Sequence, residues 1–339
     1  MQGDIGTQKV WLITGAAGFI GSHLLERLLT LEQRVIAIDN FATGKPENLA
    51  AVRKIVGDQR WSHCSFFEQD IRDREGLEAL VQQHLPEIVL HQAALGSVPR
   101  SIADPLTSHQ VNVDGFINLL EAVRRAGVKR FVYASSSSVY GDSQISPKIE
   151  DQIGNCLSPY AATKRINEIY AQVFGRTYNL ETVGLRYFNV FGPRQDPNGP
   201  YAAVIPRWLA ALISGEQAVV YGDGSTSRDF CFVSNVVQAN IAAALIPAES
   251  RLINGVANIA CGATTSLRQL FDMLRAEVAR ARSVEISSLP ELRYEPFRQG
   301  DILHSLADIA KAQELLGYRP THSVQAGVSE LVRSELQSP

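Results

Sequence analysis

The chain has 339 residues, 45% of them hydrophobic and 20% charged, with a formal net charge of -3. That length supports one large or two modest domains with a real core. The small negative charge argues against broad affinity for nucleic acid or anionic membranes.

No apolar run approaches the roughly 18 residues that a membrane span needs, and Met1–Lys9 lacks the basic start and apolar core of a signal peptide. Val10–Thr14 is a continuous apolar run that ends in glycine, which predicts a strand buried on both faces. Gly18–Leu31 carries apolar residues at helical spacing, and Arg34–Ile38, Ser65–Glu68, Ile88–Leu90 and Arg130–Ala134 read as further short strands. Asp73–His84 and Leu106–Ala126 read as helices between them, and Ser158–Tyr178 as a helix followed by a strand at Glu181–Arg186. Strands alternating with helices imply parallel pairing through crossovers. After Asn189 the character changes to a Pro- and Gly-rich loop at Gly192–Pro200, then short strands and helices near Ser266–Ala281 and Asp308–Leu316. The expected fold is α/β: a Rossmann-type doubly wound parallel sheet over residues 1–190, with a smaller C-terminal α/β substrate-binding domain over 191–339. Strands from the second part are free to cross back. Cys64, Cys156, Cys231 and Cys261 lie far apart and the seven histidines are scattered. Packing roles, no metal site, no disulfide framework and a cytoplasmic location are expected.

Gly15-Ala-Ala-Gly18-Phe-Ile-Gly21 follows the first strand and opens the first helix. Glycines there permit a tight turn, close backbone approach to a pyrophosphate, and a helix N-terminus facing its charge. Asp39 ends the second strand, 18 residues beyond Gly21. A carboxylate at that point accepts from both ribose hydroxyls and repels a 2′-phosphate, so NAD is favoured over NADP. Read by itself, Asp39 is equally a residue that caps a turn with Asn40.

Ser158-Pro-Tyr160-Ala-Ala-Thr-Lys164 puts Tyr160 and Lys164 four apart on one helix face. A phenol is a poor base at neutral pH. A neighbouring ammonium and a positive nicotinamide are expected to lower its pKa until it can take a carbinol proton as hydride leaves. Such a pair alone is more often a solvated helix face, and it gains weight from the glycine turn upstream. Ser135, Ser136, Ser137 and Ser138 end the strand that starts at Arg130, where parallel sheets place their ligands. Turn capping accounts for some of these hydroxyls.

Together with Arg186-Tyr-Phe-Asn-Val-Phe-Gly192, these motifs resemble extended short-chain dehydrogenases/reductases acting on sugar nucleotides. The likeness runs from about Lys9 to Tyr318. His91–Ser101 and Arg194–Trp208 are similar to the bacterial UDP-N-acetylglucosamine 4-epimerase branch, which serves surface-polysaccharide synthesis. The resemblance implies Tyr160 as catalytic base, Lys164 as the group that tunes it and holds the nicotinamide ribose, and Ser136 as the partner of the sugar 4-hydroxyl. It implies a cofactor-lining set that adds Phe19, Ile20, Asn40, Phe41, Thr43, Gly44, Asp70, Ile71, Gln92, Ala93, Asn112, Tyr187 and Val190. It implies two hydride transfers at C4, through a 4-keto sugar that turns over between them. For the UDP-sugar it implies Arg228 and Arg298 on the diphosphate, Asp301 on the ribose and Tyr221 on uracil. Asn189, Gln195, Val204, Trp208 and Ser97 complete that set. A homodimer is implied, built from Leu106–Ala126 and Ser158–Tyr178 of each subunit as a four-helix bundle.

Related dehydratases and decarboxylases carry acids where this chain has Ser137 and Ser138, so simple epimerisation is favoured. The small residues Gly96, Ala203 and Ser305 leave room for an acetamido group, which favours UDP-N-acetylglucosamine and UDP-N-acetylgalactosamine. UDP-glucose and UDP-N-acetylglucosaminuronate remain the rival substrates. A non-catalytic NAD-sensing protein is the alternative of a different class, and retention of both Tyr160 and Lys164 weighs against it.

Overall fold

A computed structural model describes residues 7–198, 202–297 and 303–337. Its centre is a seven-stranded sheet. The first six strands are β1 (Val10–Thr14), β2 (Arg34–Asp39), β3 (Cys64–Glu68), β4 (Ile88–His91), β5 (Arg130–Ser136) and β6 (Glu181–Tyr187). The seventh, Gly255–Ile259, comes from far down the chain and pairs with β6. Across the sheet the order is β3-β2-β1-β4-β5-β6 and then Gly255–Ile259, every neighbour parallel. The order reverses between β1 and β4, and a crevice at the carboxyl ends of the strands follows from that reversal.

The sheet is apolar on both faces, as parallel sheets with helices on each side must be. On one face Trp11 and Ile13 pack with Leu24, Leu25 and Leu28 of α1 (Phe19–Thr30) and with Val236 and Ala239 of the helix Val233–Leu245. On the other, Leu12 packs with Leu77 and Leu80 of α3 (Arg74–His84), Phe116 and Leu119 of α6 (Gly115–Arg125) and Phe174 of α7 (Pro159–Tyr178). A third apolar cluster joins the helices Val204–Ser214, Leu267–Arg282 and Val324–Gln337 in the C-terminal part. No helix among the described residues is long and apolar enough to cross a membrane.

Three expectations change. The strands run further than their apolar cores: β2 reaches Asp39, β5 reaches Ser136 and β6 reaches Tyr187, because the parallel ladder continues through Ser135–Arg186 and Ser136–Tyr187. The single helix expected over Leu106–Ala126 is broken into α5 (Pro105–His109), a π-helical turn at Gln110–Asp114, and α6. The wide turn holds Asn112, whose amide accepts from Leu95 N–H at 2.7 Å and donates to Leu95 C=O at 3.1 Å. Such π-bulges recur at functional sites, and this one pins the segment after β4. Before it lies α4 (Val98–Ala103), capped by Ser97. A helix at Pro46–Trp61, α2, was not expected.

Candidate active site

The carboxyl ends of the strands open into a cleft of about 460 Å³. Its first wall is the glycine turn. Gly15 has φ +70°, and a Cβ there would lie 2.8 Å from the Ala93 nitrogen. A Cβ on Gly21 would lie 2.0 Å from the Gly15 carbonyl oxygen. Gly15 and Gly21 therefore have no room for side chains, and the backbone stays open at the N-terminus of α1. Asp39 closes the end of β2. Its Oδ2 accepts from Ala17 N–H at 2.9 Å and its Oδ1 from Phe41 N–H at 2.8 Å. The Asn40 and Gly18 amides bear on the same carboxylate. Burial raises the Asp39 pKa, and the bonds from Phe41 and Ala17 oppose the rise. A bare-backbone cradle beside a carboxylate at this spacing fits NAD.

The chemical end is built from β5 and α7. Ser158 caps α7 by accepting from Ala161 N–H, and Pro159 sits in its first turn. This start places Tyr160 at the cleft and Lys164 one turn deeper. Lys164 is 2% exposed and its Nζ donates to Ala134 C=O at 2.8 Å. Burial brings Lys164 down to about 8, and Glu168 opposes the fall. Burial raises the Tyr160 phenol, and a hydrogen bond with Ser136 partly offsets the rise. Ser101 Oγ accepts the Tyr160 N–H at 3.0 Å, tying α4 to the start of α7. Beneath Lys164, Glu168 accepts from Ser135 Oγ at 2.6 Å and from the Arg186 guanidinium at 2.8 and 2.9 Å.

One cleft brings together Gly15, Gly18, Phe19, Ile20, Gly21, Asp39, Asn40, Thr43, Ile71, Gln92 and Ala93 with Gly96, Ser136, Tyr160, Lys164, Tyr187, Asn189, Val190 and Gln195. Several expected residues stand elsewhere. Asn112 is buried and bonded to Leu95 and Thr163, so it shapes the wall without lining it. Asp70 is taken by Arg72 and Asn40, and the Arg72 hydrogen bond holds it at about 2. Phe41 packs on Phe66, and Gly44 lies against the Asp39 carboxylate. Trp208 is 3% exposed, donates to Val219 C=O and meets Phe271 edge-on; it is a core residue of the C-terminal part, not a substrate contact. Ser97 caps α4 at φ +119°, an uncommon conformation for a non-glycine residue. Ser137 and Ser138 form a short 3₁₀ turn in which Ser138 N–H donates to Ser136 Oγ. Arg228 and Ser305 sit opposite each other on paired strands, Tyr221 ends the strand Val219–Tyr221, and Ala203 caps the helix that Val204 begins. Arg298 and Asp301 lie outside the described residues.

Sequence reasoning missed Gln69, Arg72, Thr107 and Val111, all on the cleft wall. Gln69 and Arg72 flank the expected Asp70-Ile71 pair, so strand-end position alone was a usable signal. Thr107 and Val111 were hidden by reading one unbroken helix.

A profile of the NAD dependent epimerase/dehydratase family matches residues 11–260. The chain belongs to this family. A UDP-glucose 4-epimerase of Mycolicibacterium smegmatis is 37% identical over 322 residues, 95% of this chain and 96% of that one. Among solved structures, the UDP-N-acetylglucosamine 4-epimerase of Methanobrevibacter ruminantium, in complex with UDP-N-acetylmuramic acid, superposes with TM-score 0.86 at 36% identity, covering 98% of this chain and all of that one (100%). The UDP-glucose 4-epimerase of Thermus thermophilus, in complex with NAD, superposes with TM-score 0.82 at 35% identity, covering 97% and 100%. The epimerase-family chain described here is thus an enzyme of the UDP-sugar 4-epimerase kind, and NAD is its cofactor.

Proposed function

We propose that the enzyme interconverts UDP-N-acetylglucosamine and UDP-N-acetylgalactosamine at C4 and supplies precursors for surface polysaccharide. The observation that carries this reading is the serine turn. At Ser137–Tyr140 hydroxyls stand where elimination or decarboxylation would need a carboxylic acid. Tyr160 takes the C4 hydroxyl proton, Ser136 holds that hydroxyl, and Lys164 binds the nicotinamide ribose and supplies positive charge. NAD, when bound, would supply a reversible hydride acceptor for that carbon. Arg228 and Arg298 hold the diphosphate, whose oxygens pair with the planar guanidinium forks. Residues 1–190 serve the cofactor and 191–339 the sugar nucleotide.

Room at C2 supports the N-acetyl sugar. A Cβ built on Gly96 meets nothing within 4 Å, so the cleft wall is open there. The similarity to UDP-glucose 4-epimerases favours plain hexoses as the second reading. Side-by-side rates on UDP-N-acetylglucosamine, UDP-glucose and UDP-N-acetylglucosaminuronate decide it. The expected order puts the N-acetyl sugar first. A higher kcat/KM for either rival overturns the assignment.

We also propose a cytoplasmic homodimer; the four cysteines are free thiols, which suits a reducing compartment. The dimer reading rests on an apolar stripe. Ile102 and Leu106 are 63% and 75% exposed, and Ile169, Tyr170 and Val173 lie exposed along the face of α7 opposite its buried one. A second copy related by two-fold symmetry would cover both patches. Sedimentation should give twice the chain mass, and Ile169→Asp with Val173→Asp should shift it to the monomer; a wild-type monomer refutes the dimer.

A further inference from the structure

We propose that Gly192–Asp196 is a strap that retains the cofactor, fastened at one end to α1 and at the other to the loop that follows β2. It goes beyond the choice of sugar and requires only that NAD occupies the cleft. Arg194 Nη2 reaches Glu26 Oε2 of α1 at 2.7 Å, with side chains 11% and 29% exposed. Two residues on, Asp196 Oδ1 meets Lys45 Nζ at 3.1 Å, both side chains nearly half exposed. Between the two anchors Gln195 lines the cleft. The strap therefore runs along the rim from the dinucleotide helix to the ribose-binding corner.

The anchors are wired to the cofactor cradle itself. Lys45 N–H donates to Ala17 C=O at 3.0 Å, and Ala17 N–H donates to Asp39. A Cβ on Gly192 would come 3.5 Å from the ring of Phe19, which also lines the cleft. Cofactor leaving this crevice must part the strap from α1.

Stability alone does not account for Arg194. Its backbone is in the left-handed region at φ +65°, a conformation with a cost for a non-glycine residue. Its Nε and Nη1 are buried with no hydrogen-bond acceptor among the described residues. Ion pairs buried in this way seldom add net stability, and their best-attested use is to fix one arrangement over others. The group facing Arg194 from α1 besides Glu26 is His23, which burial and then the Arg194 charge push down to about 3, so it stays neutral and does not repel the guanidinium at neutral pH. Lys45 and Asp196 complete the charged set at the strap.

The test is the rate at which NAD leaves the purified holoenzyme, followed by separating protein from free nucleotide and quantifying the NAD retained. Glu26→Gln should speed release at least tenfold. Asp196→Asn should speed it by roughly two- to five-fold, the reach of an exposed pair. Exchanging the exposed charges, Lys45→Asp with Asp196→Lys, should restore the wild-type rate, which a loss of packing would not do. Added salt should hasten release from wild type more than from Asp196→Asn. Unfolding midpoints establish that each variant is folded, and the exposed-pair exchange serves if Glu26→Gln is not. Equal release rates in wild type and both single variants, or an exchange that leaks like the single variant, overturn the strap. Because NAD itself is measured, either result stands whichever UDP-sugar the enzyme turns over.

Discussion

Replacing Tyr160 with phenylalanine should lower kcat by roughly 10²–10⁴-fold, the usual worth of a positioned proton-transfer group, while NAD stays bound. The ring and its packing survive that change and only the hydroxyl bonded to Ser136 is lost. Turnover measured with NAD content gives the two readouts together. Full activity in Tyr160→Phe would remove the phenol as the base, and loss of NAD with it would make the residue a cofactor contact. The pH profile adds a sign. Lys164, near 8 by burial against the pull of Glu168, is an ammonium below that value and neutral above it. Activity that depends on the ammonium declines as pH rises through about 8. A profile that keeps rising well beyond that value would show that the charge of Lys164 is not needed.

The second large effect is on stability. Glu168 and Arg186 are 3% and 2% exposed by side chain and share two hydrogen bonds. Arg186 also donates to Glu150 C=O at 2.7 Å and lies 4.9 Å over the Tyr140 ring. Glu168→Ala strands that guanidinium without its counter-charge. The expected loss is about 3–5 kcal/mol, a large part of the ~5–15 kcal/mol that holds a typical domain. Denaturant unfolding measures it, and Glu168→Met with Arg186→Met should recover much of the loss because neither charge is then buried alone. A single variant within about 1 kcal/mol of wild type would show that water reaches the pair. The pH dependence follows from the pair. Burial alone would raise Glu168, but Arg186, with Ser135 and Arg165, holds it below its ordinary value. Its contribution is therefore present above the unfolded carboxylate pKa and lost as pH falls through the lowered one.

The first half was legible because each signal there is local. Val10–Ile13 is apolar at every position, buried from Trp11 onward, and only Thr14 separates it from the glycine turn. Ser158, Tyr160 and Lys164 are fixed relative to one another by a single helix. Lost information was of two kinds. Some was present and unread: Leu49, Val52 and Val56 of α2 have helical spacing, disguised by Gly57, which leaves helical geometry at φ +78°. The rest was not local. Nothing near Val111 says that the chain makes a π turn there; the cause is the backbone of Leu95, reached through Asn112. Trp208 was drawn into the substrate set by a motif, while its burial depends on Phe271, far along the chain.

The strand Gly255–Ile259 makes the two halves inseparable as building blocks. It lies beside β6 through the register Val183–Gly255 to Tyr187–Ile259, and Phe188 N–H donates to Ile259 C=O at 3.1 Å. During synthesis the sheet stays unfinished until the ribosome has added the excursion between the two strands. Until then β6 carries an open row of peptide groups, flanked by Val183 and Leu185, that invites pairing with another chain. Exchange of substrate specificity between relatives by recombination must therefore carry this strand with its partner helices, and a crossover placed at residue 190 would export an edge along with a binding site.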